Sequence, residues 1–469
     1  MNNNEKTIKA SIWYLICNIV RSISSVILTI IMTRLLTKEE YGQFTNFTTW
    51  AELLFVLTSL NMANVIMRGK FDFEKRYDQY MSSVCFTNII VTCLVYFFVM
   101  LFKSSFTKIF DLDQLCINLM FVYLFFAPVC DFFAGYQRVL LKYKQATLVA
   151  ILLSIMGVLF SIVFVFLMDN KYIGRVWGYV LPYFFIGLIL YIFFFIKGKK
   201  IEIGMIKYTV LLSVPLIPHT LSNAILNASD RIVIKKFCSS EDLAVYGFGY
   251  SIAYMITILT TSISQAYTPW LFEQLEAEEY NNVRKVSKYI ALGVLFVMVA
   301  VCFILPFAVY IMGGKNYLDA LSFLPIIVSG IYIQYVSGFC IGIEHYIKKT
   351  YLISASTMIA AIVNVILNII FIPRYGYIVA AYTTLLGYVV SFSLHLFYIR
   401  RTKYREAVDL FWYIIMIFFS ILFSFIFVLV YMNEKVFLIC GIVFIIAMFI
   451  AFCFLNKKFE LIKIVKRYF

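Results

Sequence analysis

The sequence predicts an all-α polytopic membrane protein with about fourteen transmembrane helices, and three observations support this fold class. Hydrophobic residues make up 63% of the 469 residues and charged residues only 14%, whereas soluble domains are about 45–50% apolar and roughly a quarter charged. The apolar runs are continuous over about 20 residues, the length that a helix needs to cross a bilayer. Lysine and arginine concentrate between these runs. A transmembrane barrel is disfavoured because its short strands alternate apolar and polar residues.

The apolar runs define the predicted spans. The first ten residues are polar and the run after them is too long for a signal peptide, so we expect it to remain as the first span. The seventh span contains Pro215 and Pro218 and is the least regular. The predicted spans are 11–33, 43–66, 81–102, 115–136, 146–168, 173–196, 208–229, 243–268, 287–312, 321–343, 350–372, 377–399, 410–432 and 436–455.

The distribution of basic residues predicts the orientation. Fourteen spans place both termini on one side, and the loops and tails of that side carry 27 of the 40 lysines and arginines. The loops of the other side carry 12, and Arg21 lies within the first span. The positive-inside rule assigns the first side, here called the basic end, to the cytoplasm. We therefore expect a protein of the bacterial cytoplasmic membrane with both termini inside. The net charge of +15 is explained by topology and does not indicate nucleic acid as a partner.

An internal repeat predicts the domain organisation. The segment RLLTKEEYGQF at 34–44 matches KFCSSEDLAVY at 236–246 in its basic, apolar, hydroxyl and acidic positions, at an offset of 202 residues. A second match joins 144–179 to 349–384 at an offset of 205. Two duplicated six-helix units would be related by an axis along the membrane normal. The predicted units are 1–205, 206–405 and a third, 406–469, that holds helices 13 and 14 and a cytoplasmic tail.

Catalytic and cofactor motifs are absent from the sequence. It contains no P-loop, no GxGxxG after a strand, no GxSxG and no HExxH. The ten cysteines are scattered without a CxxC pair, and the three histidines have no zinc spacing. We therefore expect no metal, no cofactor and no enzymatic activity. All loops are short, which favours transport over a membrane-embedded polymerase or ligase.

Four segments carry a resemblance to a known family. They are TRLLTKEEYGQF at 33–44, NASDRIVI at 227–234, YTPW at 267–270, and NVILNIIFIPRYG at 364–376 followed by two alanines at 380 and 381. In this order the chain resembles the polysaccharide flippases of the Wzx type, which handle O-antigen or capsule repeat units. They belong to the superfamily of multidrug, oligosaccharidyl-lipid and polysaccharide exporters. Where relatives often have a Gly-Ala-Ala turn, this chain has Ile378 and Val379 before Ala380.

The resemblance implies a MATE-like fold of two six-helix bundles around a hydrated cavity. It implies that an undecaprenyl-pyrophosphate-linked oligosaccharide moves between leaflets by alternating access, with a polysaccharide polymerase and glycosyltransferases as further partners. Two alternatives stay open: a cation-coupled multidrug or small-molecule exporter of the same fold, and a membrane-embedded polysaccharide polymerase or ligase. Acidic groups deep in the membrane would suit the exporter, whereas Arg21 favours an anionic cargo.

Charged residues within the spans are the first candidate site residues, since a charge at the bilayer centre costs about 2.5–3.5 kcal/mol on insertion scales. Arg21 and Glu52 lie at similar depths in spans one and two. They are expected either to form a structural pair or to face the cavity. Asn223 corresponds to Arg21 at the offset of 202, which would make the cavity asymmetric.

The remaining candidates lie near span ends. Arg68 and Arg138 could capture pyrophosphate or act only as topology signals, and Asp131 lies deeper. Further candidates for the gate, for coupling or for sugar stacking are Glu344, His345, Asp230, Arg231 and Tyr267. For the adjacent Asp230 and Arg231, an interface or capping salt link is the favoured interpretation. For Tyr267, which precedes Trp270 at an expected break at Pro269, packing is favoured over stacking.

Overall fold

The computed structural model describes residues 3–431 and 433, and these residues form sixteen α-helices and no strand. The helices are α1 (Asn3–Leu35), α2 (Lys38–Ser59), α3 (Ile66–Asp72), α4 (Tyr77–Leu101), α5 (Lys103–Phe110), α6 (Gln114–Val139), α7 (Tyr143–Leu167), α8 (Lys171–Gly198), α9 (Ile203–Ser213), α10 (Ile217–Phe237), α11 (Ser240–Glu276), α12 (Tyr280–Gly313), α13 (Leu324–Tyr346), α14 (Thr350–Tyr375), α15 (Val379–Arg400) and α16 (Leu410–Tyr431).

The all-α membrane fold predicted from the sequence is confirmed. Twelve segments of the described chain are long and apolar enough to cross a membrane. The second predicted span is not among these twelve, although α2 occupies its position. The fourteenth, 436–455, lies outside the described residues.

The bounds predicted for the second span, 43–66, are wrong because two local signals set the ends of α2. At its start, Thr37 and Glu40 form a capping box, so the helix begins at Lys38. At its end, Leu60 and Asn61 both adopt left-handed backbone conformations, which stop the helix after Ser59. The chain then continues through a 3₁₀ turn into the short α3.

A second capping box begins α11. The Ser239 side chain accepts a hydrogen bond from the backbone of Asp242, whose carboxylate accepts one in return. Thr37 and Ser239 are 202 residues apart, the offset of the sequence repeat. The same capping chemistry therefore starts α2 and α11, while the domain boundaries at 205 and 405 stay predictions.

The seventh predicted span is interrupted where its prolines lie. A 3₁₀ turn at Val214–Leu216 separates α9 from α10, because Pro215 and Pro218 cannot donate backbone hydrogen bonds. We call α1–α9 the first half of the molecule and α10–α16 the second half. On one side of the break, α9 packs on α4 and buries Met205 in a cluster of the first half. On the other side, α10 packs on α14 and α2. One predicted span thus contributes to both halves of the molecule.

Polar contacts between the halves lie at the end opposite the basic end. The Thr33 hydroxyl donates to the carbonyl of Met312 at 2.6 Å, and Lys235 pairs with Asp111 at 2.9 Å. Gly42 lies directly against the backbone of Ser240, the first residue of α11. The two halves are therefore joined at this end.

At the basic end, Asp409 connects α12 to the start of α16. Its carboxylate pairs with Arg284 at 2.7 Å and with Lys288, and it accepts a hydrogen bond from the backbone of Trp412 at 3.2 Å. Burial by itself would raise the pKa of Asp409, but the bonds from Lys288 and Arg284 outweigh it and lower that pKa to about 2.

We expect Asp409→Asn to lower the free energy of unfolding by about 1–2 kcal/mol at pH 7, a figure reduced because Arg284 is half-exposed. A depressed carboxylate pKa stabilises the fold above the ordinary value near 4 and loses this effect as the pH falls toward 2. Thermal unfolding in detergent should therefore show a difference between wild type and variant that shrinks below pH 4. The control is Asp319→Asn at an exposed aspartate. Equal unfolding of Asp409→Asn and wild type at pH 7 would contradict this role.

Candidate functional site

A cavity of about 740 Å³ lies between the two halves. The first half contributes Arg21 from α1 and Glu52 from α2, and the second half contributes Arg231 from α10. Hydroxyl, amide and aromatic side chains complete the polar part of the wall: Asn18, Ser22, Ser25, Asn227, Tyr250, Ser251, Tyr254, Thr257 and Thr261. The cavity therefore offers cations together with many hydrogen-bonding groups.

A second chamber of about 310 Å³ adjoins the cavity and shares Glu52 and Arg231 with it. Its additional cation is Arg175 of α8, which donates to Ser161 at 2.6 Å and lies 4.1 Å from the centre of the Phe44 ring. With Arg21, three arginines and one carboxylate face the combined space. At neutral pH the lining is positive, which favours an anionic ligand.

A third pocket adjoins the cavity between α1 and α11. The first of these helices packs along α7 and touches α12, whereas α11 packs on α2 and α13. The gap between them is lined by Ser22 and by apolar residues of α11, among them Met255 and Leu259. A groove then continues along α11 toward Tyr267 and Trp270. The polar cavity is thus continuous with an apolar surface at membrane depth.

Glu52 pairs with Arg231 at 3.7 Å, and this contact joins α2 of the first half to α10 of the second half. The pairing of Glu52 with Arg21, one of the two interpretations of the sequence, is wrong: both residues line the cavity, but the carboxylate faces Arg231. The sequence could not show this because 179 positions separate the partners. Glu52 remains half-exposed to the cavity, whereas Arg231 is only 12% exposed.

The Arg231 side chain is held by its neighbours on α10 and α11. It donates to the carbonyl of Asn227 at 2.9 Å and lies 5.0 Å from the centre of the Tyr250 ring. Its Nε has no hydrogen-bond partner among the described residues. Tyr388 of α15 donates to the Asn227 side chain at 2.7 Å. Arg231 is therefore a well-supported cation in the cavity wall, and its Nε atom is buried.

Asp230 points away from the cavity. It is fully buried, accepts a hydrogen bond from Tyr246 and accepts a second one from the backbone N–H of Arg231. The structure thus separates the adjacent pair: Asp230 fixes the backbone of α10, and Arg231 faces the cavity.

Asp131 lies on α6, inside the membrane portion, and is an exposed residue. Its carboxylate interacts electrostatically with Arg21 and Arg138. Arg68 is separate from this group: it lies on α3, is 70% exposed and pairs with Asp72 at 3.6 Å. Arg68 therefore has a partner of its own on α3, separate from the interactions of Asp131 with Arg21 and Arg138.

Asn223 and Tyr267 lie outside the central cavity. Asn223 contacts His219 at 3.2 Å, and the neighbouring Ala224 lines the cavity instead. Tyr267 is buried against Trp270 and Phe339 and borders the groove on α11. The helix break expected at Pro269 is wrong, since α11 runs through it. Proline is tolerated in membrane helices because neighbouring helices and side chains satisfy the backbone groups that it frees.

Glu344 pairs with His395 and not with the adjacent His345. The Glu344 Oε2 and His395 Nδ1 atoms are 2.9 Å apart, and both side chains are fully buried. His345 is exposed at the end of α13. His395, Arg175, Asn227 and Tyr250 were not among the site residues predicted from the sequence. A charged or amide residue inside an apolar run was the available signal for Arg175 and Asn227.

Comparisons with known families place these features in a wider context. The family described as "Polysaccharide biosynthesis protein" matches residues 7–275, which is more than half of the chain. The family described as MatE matches residues 215–370. The first match includes α1, α2 and α10, the helices that contribute Arg21, Glu52 and Arg231.

Two relatives match by sequence. An uncharacterized membrane protein of Methanocaldococcus jannaschii is 23% identical over 458 residues, covering 89% of this chain and 88% of the relative. A protein of Haloferax volcanii named as a probable low-salt glycan biosynthesis flippase is 29% identical over 180 residues, covering 35% of this chain and 38% of the relative.

Solved structures share the fold. The lipid II flippase MurJ in an inward closed conformation superposes with a TM-score of 0.69 at 14% identity, covering 91% of this chain and 98% of that chain. An inward-facing multidrug resistance MATE family transporter of the MOP superfamily superposes with a TM-score of 0.61 at 13% identity, covering 81% of this chain and 94% of that chain. The predicted MATE-like fold is confirmed.

Proposed function

This chain belongs to the polysaccharide biosynthesis protein family, and from that premise we propose that it is a flippase for a polyprenyl-pyrophosphate-linked oligosaccharide. The undecaprenyl carrier of bacteria is the expected lipid, and the cargo is a repeat unit for surface polysaccharide. Glycosyltransferases would act before the flippase, and a polysaccharide polymerase would act after it. The relative named as a glycan biosynthesis flippase supports the proposal.

One observation carries the proposal: a cationic, hydroxyl-rich cavity is continuous with an apolar gap. A lipid-linked sugar has the same division, with an anionic pyrophosphate and hydroxylated sugars at one end and a hydrocarbon chain at the other. Arg21 and Arg231 provide charge-assisted donors for phosphate oxygens, and Tyr250 and Tyr254 provide aromatic and hydroxyl groups for sugars. The gap between α1 and α11 lets the hydrocarbon tail of the cargo remain in the lipid while its headgroup is in the cavity.

Alternating access follows from how the halves are joined. Contacts such as Thr33–Met312 and Lys235–Asp111 keep the opposite end closed. An anionic headgroup competes with Glu52 for Arg231, so cargo binding weakens one contact between the halves. The break between α9 and α10 at Pro215 provides a hinge, since α9 packs on the first half and α10 on the second.

The test is transport by the purified protein in proteoliposomes. The probe is a polyprenyl pyrophosphate that carries one fluorescent N-acetylglucosamine, whose exposure on the outer surface is measured by quenching. Protein-dependent flipping, with loss in Arg21→Gln, is the expected result. Deletion of the gene should also cause lipid-linked repeat units to accumulate and surface polysaccharide to fall. Absence of both effects contradicts the proposal.

Acidic residues inside the membrane portion favour a second candidate, a cation-coupled small-molecule exporter. Glu52 lines the cavity, Asp131 interacts electrostatically with Arg21 of the cavity wall, and the MatE match spans residues 215–370. Export of cationic dyes by proteoliposomes that fail to flip the lipid probe would support the exporter and reject the flippase.

A further inference from the structure

The contact between Glu344 and His395 joins α13 to α15 near the basic end. Both side chains are fully buried, and the paired atoms are 2.9 Å apart. Each side chain also keeps one atom without a hydrogen-bond partner among the described residues: Glu344 Oε1 and His395 Nε2. A buried polar atom without a hydrogen-bond partner destabilises the fold, so the pair is retained at an energetic cost.

Within the described residues, the His395 ring is the cationic partner that lies in ion-pair distance of the Glu344 carboxylate. On α13 itself the nearest titratable neighbours are Cys340 and the exposed His345. From α10, the His219 ring interacts electrostatically with His395 and His345. The three histidines of the chain are therefore grouped, although the sequence spreads them over 177 positions.

On the helices and turns around the pair, several basic side chains form no ion pair within the described residues and are exposed, among them Lys285, Lys348, Lys349 and Arg400. α16 has no Lys, Arg, Asp or Glu, and α14 carries only Arg374, at its far end. On α12, Arg284 and Lys288 are bound to Asp409. On α11, Glu276 accepts a hydrogen bond from Tyr346, and Glu273 lies one turn earlier in the helix. The short turn after α15 places Lys403 against Glu278.

A single proton shared by the two side chains makes the pair electrically neutral, either as carboxylate with imidazolium or as carboxylic acid with imidazole. Removal of that proton leaves an unbalanced negative charge in the protein interior, which is strongly unfavourable. Separation of α13 and α15 would break the 2.9 Å contact and admit water to both side chains. A nitrogen donor also makes the site a poor match for Na⁺, a hard cation that prefers oxygen ligands.

The same helix connects this pair to the cavity. Tyr388 and His395 are seven residues apart on α15, so they lie on one face, two turns or about 10 Å apart. Tyr388 donates to the side chain of Asn227, which lines the cavity beside Arg231. A displacement of α15 at His395 would thus move a hydrogen-bond partner of the cavity wall.

We propose that Glu344 and His395 form a proton-binding site whose occupancy is coupled to the central cavity through α15 and the Tyr388–Asn227 hydrogen bond. The coupling to cargo rests on the proposed function, whereas the proton site does not depend on which cargo is carried. Two measurements test the proton site and its coupling to cargo separately.

The first measurement is ¹⁵N NMR of histidine-labelled protein in nanodiscs. Three imidazoles give few signals, and His219→Gln, His345→Gln and His395→Gln assign them. The His395 Nδ1 signal should show a strong hydrogen bond in wild type, change in Glu344→Gln and be unchanged in His345→Gln. A His395 signal that is the same in wild type and Glu344→Gln overturns the proton site.

The second measurement is calorimetric titration with farnesyl pyrophosphate in buffers of different ionisation heat, which counts the protons exchanged on binding. Wild type should exchange up to about one proton more than Glu344→Gln or His395→Gln. The swapped double variant Glu344→His/His395→Glu should restore the exchange. Tyr388→Phe should keep the NMR signature but lose the exchange, because it removes only the connection to Asn227.

The outcomes are distinguishable. Equal proton exchange in wild type, Glu344→Gln and Tyr388→Phe overturns the coupling even where the NMR signature is present. Failure of farnesyl pyrophosphate to bind wild type contradicts the proposed function, and the NMR measurement still decides the proton site.

Discussion

Gly42→Val is expected to abolish flipping and to hold the end opposite the basic end open. A Cβ atom at Gly42 would lie 1.8 Å from the carbonyl oxygen of Ser240 and 2.7 Å from its carbonyl carbon. Both are backbone atoms at the start of α11, so no side-chain rotation relieves the overlap. Overpacking costs about 1–3 kcal/mol, and each 1.4 kcal/mol changes an equilibrium about ten-fold. The closed population should therefore fall roughly ten- to hundred-fold.

The measurement is labelling of Ser251→Cys, a cavity position, by an impermeant maleimide added from outside, followed by mass spectrometry of that peptide. Labelling should increase in Gly42→Val while transport is lost. The control is Gly157→Ala, where no heavy atom lies within 4 Å of the added Cβ and both measurements should match wild type. Normal transport by Gly42→Val would reject the close approach of α2 and α11 as a requirement of the cycle.

The sequence predicted the helices well because their signals are local. An apolar run of about 20 residues and its basic flanks are contained within one segment, and Pro215 and Pro218 marked the interrupted span by their missing donors. The ends of α2 were less predictable. The helix begins at Lys38 because Thr37 caps it. Its first turns are polar, so a reading of hydropathy alone assigns them to a loop.

Partner choice could not be predicted, because it is set by how distant helices pack. Glu52 and Arg21 are neighbours in topology and matched in depth, yet Arg231 is the partner of Glu52. In the same way, Glu344 pairs across α13 and α15 with His395 and not with the adjacent His345, because consecutive residues of a helix point in different directions.

Arg231→Gln should weaken binding of farnesyl pyrophosphate about 10- to 100-fold. A hydrogen bond to a charged group contributes about 1.5–3 kcal/mol, and the Arg231 side chain lines the cavity. Arg231→Lys should recover part of the affinity through its charge but lack the planar fork of the guanidinium. Calorimetry in detergent measures both variants. The control is Arg374→Gln, an exposed arginine at the same end of the second half.

Glu52→Gln tests whether the carboxylate competes with the cargo for Arg231. If it does, removing its charge strengthens binding of the probe, and this gain disappears when Arg231→Gln is also present, so the two changes are not additive. The gain should be modest because Glu52 is 56% exposed and 3.7 Å from Arg231. Additive effects would mean that Glu52 acts on the probe independently of Arg231. A non-additive gain would mean that the residue joining the halves is also the one that cargo displaces, which is how binding in the cavity could release the closed end.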